Sequence, residues 1–298
     1  MTLPTFLIVG APKAGTTSLY HYLRSHPDVF MSEEKEPHYF SYVGERRPTW
    51  GVQTLEAYGA LFDGVRDESA IGEASTWMLY SETAAREIRA LTPDARILIL
   101  LRDPVERAYS GWAYQVQMRW EKERFEDALA LEPSRVAQGR SWDVHYVGAG
   151  MYADQVRRYL DVFPRDQVRV WSFEEFKRDP SRVTREAYVF VGVDPDANVP
   201  DTGTAHNATA LPRWPVLSRV LRRRGRVRSV AKSVVPTVLR QQIGRAVRSW
   251  NQMPRPPMDP VTRARLRDVY REDVRNLSQL LGRDFMGEWF GPALPPSE

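Results

Sequence analysis

The chain opens on an unbroken apolar run, residues 6–9, closed by Gly10. A run this short, bounded by turn residues, predicts a strand buried on both faces. Residues 16–25 then place Leu19, Tyr20 and Leu23 at helical spacing. A second apolar run at 96–101 predicts another buried strand. Asp103 and Pro104 follow it, Asp as a cap and Pro at the first helical position, so a helix is expected to about Met118. An amphipathic stretch at 152–163, a strand at 168–173 and a helix started by Asp179 and Pro180 repeat the alternation. Strands alternating with helices predict a three-layer α/β fold around a central, mainly parallel sheet. From about residue 202 the strands are expected to stop. Helical stretches are predicted near 227–250 and 260–281, the second with Leu266, Val269, Tyr270, Val274, Leu277, Leu280 and Leu281 on its apolar side. The simplest organisation is one domain over 1–298: an α/β body (1–201), a lid-like helical segment (202–258) and a C-terminal helix and tail (259–298).

Composition narrows the chemistry. With 42% apolar and 27% charged residues, the 298-residue chain has ample material for a packed interior. It has no cysteine, which excludes a disulfide scaffold and a thiolate zinc site, and its five histidines (21, 26, 38, 145, 206) show no ligand spacing; no metal is expected. The N-terminus has no basic region or cleavage site of a secretory signal, and no apolar run approaches membrane-spanning length, so a cytoplasmic location is the default expectation. The net charge of +4 conceals an asymmetry. Of 42 basic residues, 12 fall in 202–258, a segment without Asp or Glu, leaving 30 against 38 acidic residues elsewhere. A localised basic surface suits an anionic partner: a phosphorylated nucleotide, an acidic acceptor or a membrane face.

Three segments carry candidate chemistry. The first, from Val9 to Ser18, is a glycine-containing turn between a buried strand and a helix. Such a turn aims backbone N–H groups and the positive helix terminus at one point, as a phosphate requires. Lys13 adds a full charge, and Ala14, Gly15, Thr16, Thr17 and Ser18 complete the cradle. A Walker A loop, G-x-x-x-x-G-K-[ST], places its Lys directly after the second Gly. Here Thr16 stands there and Lys13 lies inside the loop, which argues against an ATP-dependent small-molecule kinase. In the second segment, Arg102 ends a strand and Ser110 faces back from the following helix, so a guanidinium and a hydroxyl can clamp a terminal phosphate. Arg107 has two readings, phosphate contact or helix support. The third is the charged run from Glu33 to Phe40, which holds Glu36 and His38; a neutral imidazole has a pKa suited to general-base work.

Together these segments resemble the sulfotransferases that use 3′-phosphoadenosine-5′-phosphosulfate (PAPS). Residues 12–19 are similar to that family's 5′-phosphosulfate loop, P-K-x-G-T-[ST]-x-L, and 102–110 to its 3′-phosphate motif, R-[DN]-P-x-x-R-x-x-S. Residues 26–40 resemble a segment, ending K-E-x-x-[FY]-F, of bacterial members and of the heparan-sulfate group. The resemblance continues through 72–75, 150–164 and the closing stretch from Tyr270 to Trp289. It implies a P-loop-like fold, PAPS as donor with release of 3′-phosphoadenosine-5′-phosphate (PAP), and Glu36 as the acceptor base, with His38 the second candidate. By position, the segment from His206 to Arg213 matches the loop that closes over the nucleotide, which assigns Arg213 to the 3′-phosphate. One departure stands out: many heparan-sulfate enzymes carry a functional Lys where this chain has Ala74. That argues against a glycosaminoglycan acceptor and leaves Lys13 as the main nearby cation.

The implied reaction is sulfuryl transfer to a hydroxyl or amine of a small-molecule, lipid or saccharide acceptor. The segment 222–250 has two readings. Its valine face opposite Arg228, Lys232, Arg240 and Arg248 suits a lid helix packed on the body, or contact with a membrane surface. A noncatalytic nucleotide or nucleic-acid binder built on the same arginines is the alternative from another class, marked by strongly salt-dependent binding. The paired motifs argue against it, and no nucleic-acid partner is expected.

Overall fold

The computed structural model describes residues 1–42, 51–197 and 257–291, with the backbone of 211–212 and 252–253. Five parallel strands form its sheet in the order β2-β3-β1-β4-β5: β1 (Phe6–Gly10), β2 (Val29–Met31), β3 (Ala70–Ala74), β4 (Arg96–Leu101) and β5 (Val168–Ser172). Every residue of β1 is buried, as its unbroken apolar run requires.

Topology determines where the helices lie. From β1 the chain crosses through α1 (Thr16–Arg24) to β2 on one side; from β3 it crosses through α3 (Ala84–Leu91) to β4 on the other, with α2 (Leu55–Ala60) between β2 and β3. Right-handed crossovers in opposite directions put their helices on opposite faces. The packing agrees. The helix α1 meets α8 (Pro180–Val191), whereas α6 (Tyr152–Leu160) meets both α3 and α9 (Pro260–Leu281), and α9 also meets α4 (Pro104–Met118). Between α4 and α6 lies α5 (Phe125–Ala137); α7 (Phe173–Arg178) follows β5, and α10 (Phe285–Phe290) packs on α9. This is the expected three-layer fold with a parallel sheet.

The two predicted capping signals form: the Asp103 carboxylate accepts from the Val105 and Glu106 amides and Asp179 from the Arg182 amide, each with Pro at the helix start. Asp259, before Pro260, caps the C-terminal helix in the same way by accepting from the Thr262 amide. The C-terminal helix covers the predicted 260–281 and buries Leu266, Tyr270, Val274 and Leu277, while Val269 is exposed. Its Asp273 carboxylate accepts from the Tyr152 and Ala153 amides, so a side chain from α9 caps α6.

Three expectations change. The strands at 29–31 and 70–74 are additions to the expected set: β2 is an apolar run of only three residues, too short to read as a strand, and β3 is broken by Gly72 and Glu73. The strand at β5 stops at Ser172, where a reciprocal Ser172–Glu175 capping box turns the chain into α7. Strands also do not cease at residue 202, because Leu211–Pro212 pairs antiparallel with Gln252–Met253. Arg213 and the basic segment 222–250 lie outside the described residues.

Candidate active site

From β1 the chain departs toward β2, and from β4 toward β5, so the loops after these adjacent strands diverge and open a crevice at their C-terminal ends. Open α/β sheets bind ligands at such switch points. Both phosphate-type motifs stand there. Gly15, at φ 91°, is the residue before α1, and that helix has no side-chain cap over its first turn. Its leading amides therefore point toward the crevice, as an anion cradle requires. Ala14, Thr16 and Ser18 are buried and Thr17 is half-buried. Lys13 has φ 69° and holds its Nζ 4.1 Å from the centre of the Tyr114 ring on α4.

The two motifs touch. Arg102 Nη1 donates to the Lys13 carbonyl oxygen at 3.1 Å, and the guanidinium lies 4.7 Å above the Phe173 ring. Phe173 also explains Gly15, since a Cβ there would come within 3.0 Å of the Phe173 ring in a backbone conformation that L side chains rarely adopt. Ser110 is buried on α4. The readings of Arg107 resolve in favour of support: its side chain is 2% exposed and donates to the Tyr146 carbonyl, to which the Tyr270 hydroxyl of α9 also donates.

Glu36 and His38 sit on the loop after β2, beside the C-terminal end of β3. The Glu36 amide donates to the Ala74 carbonyl and the His38 amide to Ser75 Oγ, which clamp the loop to β3 at 2.9 and 3.0 Å. The Glu36 carboxylate accepts from the Thr76 amide at 2.8 Å, from Thr76 Oγ1, and from Lys35 Nζ at 2.5 Å. Burial alone would raise its pKa, but Lys35, His38 and the Thr76 amide outweigh burial and hold the carboxyl below the ordinary range. His38 Nε2 faces Glu36 Oε2 at 3.5 Å, and Nδ1 lies 3.1 Å from Ser41 Oγ. Burial lowers the His38 pKa against the pull of Glu36, so the ring is neutral near pH 7. The tautomer that serves both contacts carries its proton on Nε2. The carboxylate keeps 28% of its side chain exposed while the imidazole keeps 5%, so Glu36 is the more open of the pair.

Gly10 joins the donor-type loop to this carboxylate. A Cβ at Gly10 would lie 2.5 Å from Leu79 Cβ and 3.1 Å from the Thr76 carbonyl oxygen, so glycine lets the Thr76–Leu79 turn close on β1. Lys13, Glu36 and His38 are three of the four non-glycine residues with positive φ among the described residues; the fourth, Arg119, ends α4. Each such conformation costs about 1–3 kcal/mol and clusters where surrounding contacts over-determine the backbone.

Among the described residues, no group of three or more His, Asp or Glu side chains is arranged to hold a metal, and no helix is long and apolar enough to cross a membrane. A groove of about 570 Å³ lies along α8, lined by Arg169, Arg182 and Arg185 beside Glu186; these partners are largely ion-paired, and the groove shares no residue with the crevice.

A model of the sulfotransferase domain matches residues 3–208 of the chain. The chain belongs to the sulfotransferase family. The sulfotransferase is similar to a crystal structure of a sulfotransferase from Alicyclobacillus acidocaldarius, with 35% identity, a TM-score of 0.77, and coverage of 97% of this chain and 100% of that one. It is 29% identical over 286 residues to human bifunctional heparan sulfate N-deacetylase/N-sulfotransferase 3, matching 94% of this chain but only 30% of that protein's length. It is also 29% identical over 282 residues to human heparan sulfate glucosamine 3-O-sulfotransferase 6, with 95% and 73% covered.

Sequence reasoning missed Thr76, Tyr114 and Phe173, which hold the site of this sulfotransferase together, and gave no role to Glu73 within the 72–75 segment. Glu73 is fully buried on β3, accepting from Tyr58 OH at 3.2 Å and Ser75 Oγ at 2.9 Å. Burial pushes its carboxyl up to about 7 from an ordinary 4.5. The folded chain therefore holds a proton here that the unfolded chain has released between those values, and this contribution to stability is lost as pH rises from 4.5 to 7. The ionised group then costs on the order of 3 kcal/mol. Glu73→Gln keeps an acceptor for Tyr58 and removes the ionisation. Its melting temperature relative to the parent is expected to be higher at pH 8 than at pH 5, read by thermal denaturation in matched buffers; a difference independent of pH would refute the assignment.

Proposed function

We propose that this sulfotransferase takes its sulfuryl group from PAPS and delivers it to a hydroxyl or amine of a small-molecule, lipid or saccharide acceptor, with Glu36 as the general base. The observation that carries the reading is the 3.1 Å bond from Arg102 to the Lys13 carbonyl, which unites two anion-binding elements at the switch point. The relatives named for heparan sulfate bring a saccharide acceptor into consideration by kinship.

The fit to the donor rests on the chain's own groups. An uncapped helix start, a glycine held in the left-handed region and Lys13 make a cradle for a 5′-phosphosulfate. Arg102, braced on Phe173, with Ser110, serves the 3′-phosphate. The donor supplies an electrophilic sulfur and a phosphate leaving group. Glu36, ionised at neutral pH, takes the proton as the acceptor oxygen or nitrogen attacks, and His38 steadies the carboxylate through Nε2. Lys13 and the loop amides meet the charge that grows on the leaving oxygen.

Thermal denaturation with PAP tests the donor. A ligand specific for the native state adds about 2.7 kcal/mol at 100 times its dissociation constant. PAP is expected to raise the midpoint by several degrees while ATP and NAD do not; no shift at saturating PAP would count against PAPS as donor.

A further inference from the structure

Three separate segments meet beside Glu36 and His38 and build an aromatic wall. Tyr42 lies on the same loop, four residues after His38; its ring lies 5.8 Å from His38 and stacks on Trp142 at 4.3 Å and 24°. Trp142 comes from the short turn Trp142–Val144, far along the chain. Trp77 directly follows Thr76, whose amide holds the Glu36 carboxylate, and its ring lies 6.2 Å from Trp142. Tyr80 closes the cluster, edge-on to Trp142 at 5.3 Å and bonded through its hydroxyl oxygen to His145 Nδ1 at 2.9 Å. Trp77 and Trp142 both retain exposed surface. A core has no need to leave two indoles open beside a carboxylate, whereas a ring-binding surface does.

The field at this wall is acidic. Asp143 follows Trp142, accepts from Ser141 Oγ at 3.0 Å and from the Trp77 indole N–H, and acts electrostatically on His38, Glu36 and Tyr42. Lys35 is drawn into the same field and paired with Glu36 at 2.5 Å. Among the described residues, then, the mouth of the base holds two carboxylates and one cation already engaged. Such an arrangement repels a polyanion and accepts a neutral or positively charged group.

Resting on the sulfotransfer reading above, we infer that Tyr42, Trp77 and Trp142 form the acceptor-binding wall, and that Asp143 selects a flat, ring-bearing acceptor without negative charge. The ring lies against the indoles while its hydroxyl or amine reaches Glu36. Asp143 disfavours carboxylated or sulfated acceptors.

The test uses the full chain with radiolabelled PAPS and acceptors that differ in charge on one ring: tyramine, p-cresol and p-hydroxybenzoate. Phenyl glucoside and methyl glucoside separate an aromatic from a saccharide source of the ring, and a heparin oligosaccharide supplies the polyanion. Tyramine and p-cresol are expected to exceed p-hydroxybenzoate in kcat/KM by about tenfold or more, with the heparin oligosaccharide lowest. Asp143→Lys should reverse the order of tyramine and p-hydroxybenzoate. Trp142→Ala should raise acceptor KM by about three- to tenfold with PAP affinity unchanged, and Trp142→Phe should restore most of the loss. Quenching of tryptophan fluorescence by p-cresol in the PAP complex gives a readout independent of turnover, and Trp142→Ala should weaken it.

Preference for the heparin oligosaccharide, an order unmoved by Asp143→Lys, or neither quenching nor transfer with any ring acceptor would overturn the inference. Failure of the underlying reading is distinguishable, because PAP would then bind no better than ATP.

Discussion

Glu36→Gln is expected to lower kcat by roughly 10²- to 10⁴-fold, the range typical of a lost general base, while PAP affinity holds. Glutamine preserves the shape and leaves an oxygen to accept from the Thr76 amide, so the loop keeps its backbone clamps to Ala74 and Ser75. What it removes is the ability to take a proton. The charge environment fixes the direction of the pH dependence. With Lys35 and His38 holding the Glu36 carboxyl below 4.5, activity lost to protonation of the base should fall away only below that pH. A limb above pH 5 would implicate another group. His38→Ala should be milder, since it removes the contact at 3.5 Å that steadies the carboxylate and leaves the acceptor of the proton in place. Steady-state kinetics across pH for both variants checks this; near-normal kcat in Glu36→Gln with collapse in His38→Ala would exchange the two roles.

How much of this was legible in the sequence depended on whether a residue's reason was local. The strands β1 and β4 announce themselves as unbroken apolar runs because both faces are covered, and the helices begin at Asp-Pro pairs whose capping chemistry is complete within four residues. By contrast β3 reads Ala-Ile-Gly-Glu-Ala, and only the fold explains it. Its Gly72 makes room for the Phe6 ring, which would lie 2.2 Å from a Cβ, and its Glu73 is a buried carboxyl that a hydropathy pattern assigns to a surface. The same division runs through the candidate site. Lys13, Gly15, Arg102, Glu36 and His38 stand in contiguous motifs and were visible. Phe173, Thr76, Trp142 and Asp143 reach the site from other elements, and nothing in their neighbouring sequence records the distance across the sheet that makes them partners. Asp273 is the structural counterpart, a cap supplied to α6 from 120 residues away.

Lys13→Ala is expected to reduce kcat by roughly 10²- to 10³-fold, the cost of removing one preorganised charge from a developing anion, with a much smaller change in PAP affinity. The geometry gives the reason. Lys13 lies within the loop rather than on the helix, in a left-handed conformation, with its ammonium held 4.1 Å from the centre of the Tyr114 ring. A cation fixed by its backbone and an aromatic face needs little reorganisation when negative charge appears beside it, and that charge is greatest in the transition state. In the proposed reaction Arg102 differs, because a 3′-phosphate held there would carry the same charge throughout. Arg102→Ala should therefore weaken PAP binding by about 1.5–3 kcal/mol and abolish the preference for a 3′-phosphate, with kcat at saturating donor less affected. Since Arg102 also braces the Lys13 carbonyl, Arg102→Lys is the companion variant: it keeps a charge but loses the planar fork, and should fall between the parent and the alanine variant. Single-turnover rates alongside calorimetric PAP titrations separate the two effects. If both alanine variants raise the donor KM equally and leave kcat intact, Lys13 binds the ground state and the transition state alike, and the leaving-group role passes to the loop amides.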